Sequence, residues 1–166
     1  MRAWPLFLCV GLLFGVAVAR DWADDWVDRT VLPSTLADMS VEVRDRSGAL
    51  MRVFPVENGR WRLRPGTVDS GYIDMLIRYE DKRFWQHAGV DGIALVRAAG
   101  QALFNGRTVS GGSTLTMQVA RLLENSGTGS WPGKIRQIRL ALALERNLGK
   151  DDILNLYMTH APFGGN

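Results

Sequence analysis

The chain has 166 residues, 46% of them hydrophobic, and a formal net charge of +3. That length can bury one core with additions at its ends, and the positive charge is too small to point to a nucleic-acid partner. The single cysteine, Cys9, excludes an internal disulfide.

Ala3 to Ala19 carries no charge and is flanked by Arg2 and Arg20. As a helix it would span about 25 Å at ~1.5 Å per residue, a little short of the ~30 Å apolar core of a bilayer. Ala17-Val18-Ala19 has the small-x-small form of a cleavage site, so residues 1–19 read either as a cleaved signal peptide or as an uncleaved signal-anchor. Leu8, bulky and directly before Cys9, argues against a lipoprotein site. In both cases the rest of the chain is expected to be exported, since no second hydrophobic span of sufficient length follows.

Residues 20–66 read as a linker and a small β region. Trp22 and Trp26, among acidic residues, suit either a membrane interface or packing on the domain that follows. Val41 to Phe54 alternates in strand fashion around the turn signal Asp45-Arg46-Ser47-Gly48. Asn58-Gly59 marks a second turn before Trp61-Arg62-Leu63-Arg64. A small antiparallel sheet or hairpin is expected, with nothing in it that suggests chemistry.

From residue 67 the pattern turns helical. Asp69 or Ser70 can cap a first helix. A second runs from Asp91 to Phe104 on Ile93, Val96, Ala99 and Leu103 and stops at Asn105-Gly106; a third runs from Ser113 to Leu123. After a polar loop from Asn125, Ser130 is placed to cap a fourth helix with Pro132 in its first turn, ending at Leu148-Gly149. A fifth covers Asp151 to Thr159, before Pro162. There is no internal repeat.

Ile73, Leu76 and Ile77 make an apolar stripe at i, i+3, i+4, and its extension lands on Glu80. A carboxylate on the buried face of a helix near its end is held closer to its neutral form and moves towards the range of a general base. The alternative is a glutamate that ends the helix and points to water. Gly111-Gly112-Ser113-Thr114 precedes a helix, where glycines let a ligand approach and free N–H groups can meet an anion. It lacks the lysine of a P-loop, and an ordinary glycine-and-serine cap has the same form. Gln118 and Arg121 follow on that helix as surface residues or ligand contacts. The two histidines, His87 and His160, make no zinc cluster with the lone cysteine and no Ser/His/Asp arrangement. Between Ser130 and Lys150 the bases Lys134, Arg136, Arg139, Arg146 and Lys150 face the single acid Glu145, a balance that suits a phosphate-bearing partner or a solvated helix face. Gln137, Ala141 and Glu145 share one helix face, and Glu145 has a local alternative as the partner of Arg146 or Lys150.

Taken together these segments resemble glycosyltransferase family 51, the peptidoglycan glycosyltransferases. Glu80-Asp81-x-x-Phe84-x-x-His87-x-Gly89-x-Asp91 resembles its first motif and Gly112-Ser113-Thr114-x-Thr116-x-Gln118 its second. Lys134 to Glu145 resembles the third, and Lys150-x-x-Ile153-Leu154-x-x-Tyr157 the fourth. The resemblance implies a mainly α, lysozyme-like domain at 67–166, preceded by the β-hairpin and an N-terminal membrane helix. It implies a single-pass protein of the inner (cytoplasmic) membrane with its catalytic domain on the periplasmic side. Lipid II and the nascent glycan strand would be its substrates, with undecaprenyl diphosphate as leaving group. Glu80 would be the general base. Arg121 and Lys134 would stabilise the diphosphate, and Asp81, Phe84, His87, Ser113, Thr114, Gln118 and Glu145 would join them in holding substrate.

The sequence departs from the family pattern in places. Gln137 stands where the family has a second glutamate, which leaves rate and any use of a divalent cation, Mg or Mn, open; no other cofactor is implied. Met117 replaces a common glutamine and Thr159 a common asparagine. The family's fifth motif and a transpeptidase domain would follow Asn166, so the glycosyltransferase domain reads as C-terminally truncated. Two further readings are a lysozyme-like enzyme that cleaves finished glycan and a non-catalytic lipid II-binding fragment.

Overall fold

The computed structural model describes residues 4–57, 59–63, 66–105, 111–124 and 130–163, without the side chains of residues 5, 6 and 102–105. Two units separate by their internal contacts, Met1–Val31 and Leu32–Asn166.

The first unit is a single helix, α1 (Trp4–Asp28). Phe7, Leu8, Leu12, Leu13 and Phe14 expose more than half of their surface. Arg20 pairs with Asp24 and Arg29 with Asp25 near its end. The expected N-terminal helix is present, and among the described residues no helix is long and apolar enough to cross a membrane.

The second unit opens with the hairpin of β1 (Val41–Arg44) and β2 (Leu50–Phe54), paired antiparallel with Val41 opposite Phe54 and a slip of register between Val43 and Arg44. Asp45 closes the turn: its Oδ1 accepts from Ser47 and Ala49 N–H at 2.8 and 2.9 Å. Gly48 takes φ +86° there, a conformation that favours glycine. The expected hairpin is thus formed, and the described residues after the second turn, Trp61 to Leu63, add no strand to it. Arg62 instead exchanges single contacts with Ser40, its carbonyl accepting from Ser40 N–H at 2.8 Å. Asn58, Arg64 and Pro65 lie outside the described residues.

Among the described residues the α-helices that follow are α2 (Ser70–Glu80), α3 (Gly92–Asn105), α4 (Leu115–Glu124), α5 (Trp131–Asn147) and α6 (Lys150–His160), with a short 3-10 turn at Phe84–Gln86. Asp69 caps α2 by accepting from Tyr72 N–H, and Ser130 caps α5 by accepting from Gly133 N–H, with Pro132 in the first turn. The ends expected at Gly106 and the loop from Asn125 lie outside the described residues.

The core is α4 against α5 and α6. Leu115, Val119, Ala120, Leu144 and Ile153 are fully buried in it, and Phe84 is driven into it from the loop after α2. A phenylalanine so enclosed contributes roughly 1.5–3 kcal/mol of apolar burial. α3 departs from its sequence stripe: Ile93 and Val96 are exposed, and Ala94 is the buried residue. The loop that carries Phe84 is fixed by Gly89, which has φ +91°. A Cβ there would stand 2.6 Å from the Ala141 carbonyl oxygen, so this loop presses on the α5 backbone as only glycine allows.

Candidate active site

α2 ends at Glu80, and Gln118 on α4 donates its Nε2–H to the Glu80 carboxylate at 2.8 Å. Glu80 is half-buried, between an enclosed acid and one turned to water. It lines a cavity of about 430 Å³ with Tyr79, Lys82, Arg97 and Ser113. A second cavity, of about 330 Å³, is lined by Ser113, Met117, Gln118, Arg121, Lys134 and Gln137. Ser113 belongs to both walls, and Gln118 joins the second wall to Glu80. The carboxylate therefore stands at the seam of two cavities; the larger has Lys82, Arg83 and Arg97 on its wall beside carboxylates, and the smaller has Arg121 and Lys134 with no acid.

Burial holds the Lys134 ammonium below its ordinary value, and the neighbouring Arg121 charge lowers it further. Its Nζ donates to Ser113 Oγ. Gln137 is 4% exposed, and its Nε2 has no hydrogen-bond partner. Tyr157, on α6, was not singled out for the site by sequence. Its hydroxyl is pushed above its ordinary value by burial first and then by the Glu80 charge. The only sequence sign of it is its place in the fourth motif. Arg97 and Lys82 on the wall of the larger cavity gave no sign at all.

Several residues expected to hold substrate are occupied inside the fold. Asp81 is buried: its Oδ2 accepts from Leu115 N–H at 3.0 Å, and its two oxygens lie 2.9 and 3.1 Å from His87 Nε2. Thr114 donates to the Gly89 carbonyl at 2.6 Å and accepts from Met117 N–H at 3.1 Å, capping α4. Both reach the wall of the larger cavity, but their polar atoms already have partners. Phe84 is core, fully buried. Glu145 is on the wall of neither cavity. Its Oε1 accepts from Lys150 Nζ at 2.6 Å and from Thr116 Oγ1 at 2.7 Å, the local pairing that sequence had offered as the alternative. Lys150 also donates to the His87 carbonyl at 2.7 Å and sits 4.5 Å from the centre of the Phe84 ring. The reason is geometric: the loop 81–91 and the start of α6 meet over this pair, and a buried acid with a base in reach forms the pair.

The transglycosylase family model matches residues 48–166, and the chain belongs to that family. The match begins in the hairpin turn. The chain is similar to penicillin-binding protein 1C of Escherichia coli, with 50% identity over 115 residues, 68% of this chain and 15% of that protein. It is 36% identical to penicillin-binding protein 1A of Pseudomonas aeruginosa over 94% of this chain and 20% of that one. Against penicillin-binding protein 1A of Aquifex aeolicus it is 32% identical over 95% of this chain and 21% of the relative. The chain thus spans a fifth or so of the length of the curated relatives it matches.

Proposed function

We propose that the chain is the glycosyl-transferring part of a peptidoglycan glycosyltransferase, acting in cell wall biosynthesis on lipid II. The observation that carries this is the position of Glu80 at the seam of two cavities, one lined by Lys134 and Arg121. In the reading, Glu80 accepts the proton of the acceptor sugar's 4-hydroxyl. The freed oxygen forms a bond to C1 of the lipid-linked donor from the face opposite the diphosphate. The C1–oxygen bond breaks, its electron pair leaves with undecaprenyl diphosphate, and the anomeric centre inverts. Lys134 and Arg121 stabilise the negative charge that grows on the leaving group. Gln118 orients the carboxylate, and Ser113 lines both sugar and diphosphate sides. The framework residues Asp81, Thr114, Phe84, His87 and Glu145 act by holding the loop 81–91 and the N-terminus of α4 where these groups meet.

We further propose that α1 is a single-pass signal-anchor in the inner membrane, with the glycosyltransferase domain on the periplasmic side. Its exposed apolar side chains and the lipid tail of the proposed substrate support this.

The test is polymerisation of lipid II, with finished glycan as a second substrate. Glu80→Gln keeps an acceptor for Gln118 and is expected to lower transfer about a hundredfold or more with an unchanged unfolding midpoint. Transfer within about tenfold of the parent chain would remove Glu80 from its role. Cleavage of finished glycan without polymerisation of lipid II would replace the transferase with a lytic enzyme.

A further inference from the structure

The cavity of about 330 Å³ brings together Arg121, Lys134, Ser113 and Gln137, and none of the residues on its wall is a carboxylate. Magnesium and manganese are held by hard oxygen ligands, carboxylates above all. Here Ser113 Oγ already accepts from Lys134 Nζ, and Glu80, the acid that Gln118 on this wall reaches, lines the other cavity. Two cations beside the space would repel a divalent ion, and among the described residues no group of three His, Cys, Asp or Glu side chains could hold one. A divalent cation does not fit this site.

The groups do fit an anion. Gln137 is buried to 4% exposure with an amide N–H that has no partner. Leaving such a donor unmade is unfavourable by roughly 1–3 kcal/mol, and next to an ammonium and a guanidinium it gains nothing until negative charge arrives. The depressed value of Lys134 has the same sense: burial first, and then the Arg121 charge, disfavour the ammonium, and an anion relieves both.

We propose that this chain holds the diphosphate without a metal, through Lys134, Arg121 and the amide of Gln137, and that the amide at position 137 is what sets this metal independence. The inference rests on the glycosyl-transfer reading and gives its leaving-group site a definite chemistry. A glutamate at the same point would add a negative charge to the wall and would need a divalent ion between itself and the diphosphate.

Calorimetric titration of the whole chain in detergent with farnesyl diphosphate tests it, in EDTA and in excess magnesium. The parent chain is expected to bind at least as tightly in EDTA as with magnesium. Gln137→Met keeps the volume, loses the donor and should bind about tenfold more weakly in both buffers. Gln137→Glu should bind about a hundredfold more weakly in EDTA and recover most of that when magnesium or manganese is added. Parent binding that falls tenfold in EDTA overturns the proposal, as does unchanged binding by Gln137→Met or metal-insensitive binding by Gln137→Glu. Should the glutamate variant fail to fold, the parent and methionine arms decide alone. No binding by the parent in either buffer would sink the diphosphate reading beneath it, whereas binding that requires metal sinks only this inference.

Discussion

Around Lys150 and around Lys134 the same bundle treats buried charge in opposite ways. At the first, a carboxylate, a backbone carbonyl and an aromatic ring surround one ammonium, and a threonine hydroxyl donates to that carboxylate. At the second, an ammonium and a guanidinium share a cavity wall with a buried amide and no acid. Pairing a charge inside the fold removes the free energy that a ligand could recover by pairing with it. A site for a departing anion must therefore leave its cations without an internal carboxylate, and the framework next to it must not. Both sets lie on motif residues, so a motif alone does not say which kind a residue is.

The largest expected effect breaks the framework side. Lys150→Met leaves Glu145 buried without its base, and the chain should lose on the order of 3–5 kcal/mol of stability. Urea unfolding measures it. The double change Lys150→Met with Glu145→Gln should recover a good part of that loss, because the orphaned charge is gone. A single-variant loss under about 1 kcal/mol would mean that this pair does not hold the loop 81–91 in place.

How far the sequence foretold these two regions depends on distance along the chain. Asp69, Ser130 and Pro132 act on residues within four positions, and their roles were legible from local spacing. So was the turn at Asp45, and so was Lys150 as a partner for Glu145. Asp81 capping α4 at Leu115, Thr116 reaching Glu145 and Lys150 reaching the His87 carbonyl were not. Each depends on helices meeting in space, and nothing beside Asp81 marks it for a helix N-terminus far along the chain. The stripe of α3 failed for a related reason: periodicity finds an apolar face, but it does not supply the neighbour, and Ala94 met one where Ile93 did not. Glu80 was legible as the end of a stripe, while the electrostatic link from Glu80 to Tyr157 was not.

A middle-sized effect sits where the framework touches the larger cavity. Arg83 pairs with Asp91, with its Nε 2.9 Å from Oδ2, and Asp91 Oδ1 caps α3 by accepting from Ala94 N–H at 3.0 Å. The hydrogen bond from Arg83, then that from Ala94, hold the Asp91 carboxyl below its ordinary 3.8 against the opposing effect of burial. Because the folded value is the lower one, the stabilisation is fully present above about 3.8 and is lost as pH falls through the folded value. Asp91→Asn should lower stability by about 1–2 kcal/mol at neutral pH and flatten this acid limb. An unchanged limb in thermal melts from pH 5 downwards would assign the acid loss to other carboxylates, by the same linkage.

The smallest stability change belongs to the cationic cavity, and its smallness is the point of contrast with Lys150. Burial and Arg121 lower the Lys134 value from 10.5. The unfolded chain therefore binds this proton more tightly, and stability rises with pH between the folded value and 10.5. At neutral pH the charge opposes folding. Lys134→Met should leave stability within about 1 kcal/mol of the parent, on the favourable side if it moves, since the group is only partly buried and solvent screens it. The same change should weaken farnesyl diphosphate binding about tenfold or more. In the parent, binding should begin to fall at a pH below that of an ordinary lysine, and in the variant that part of the fall should be missing. A variant that loses several kcal/mol while binding diphosphate as well as the parent would turn Lys134 into a framework residue and erase the distinction between the two regions.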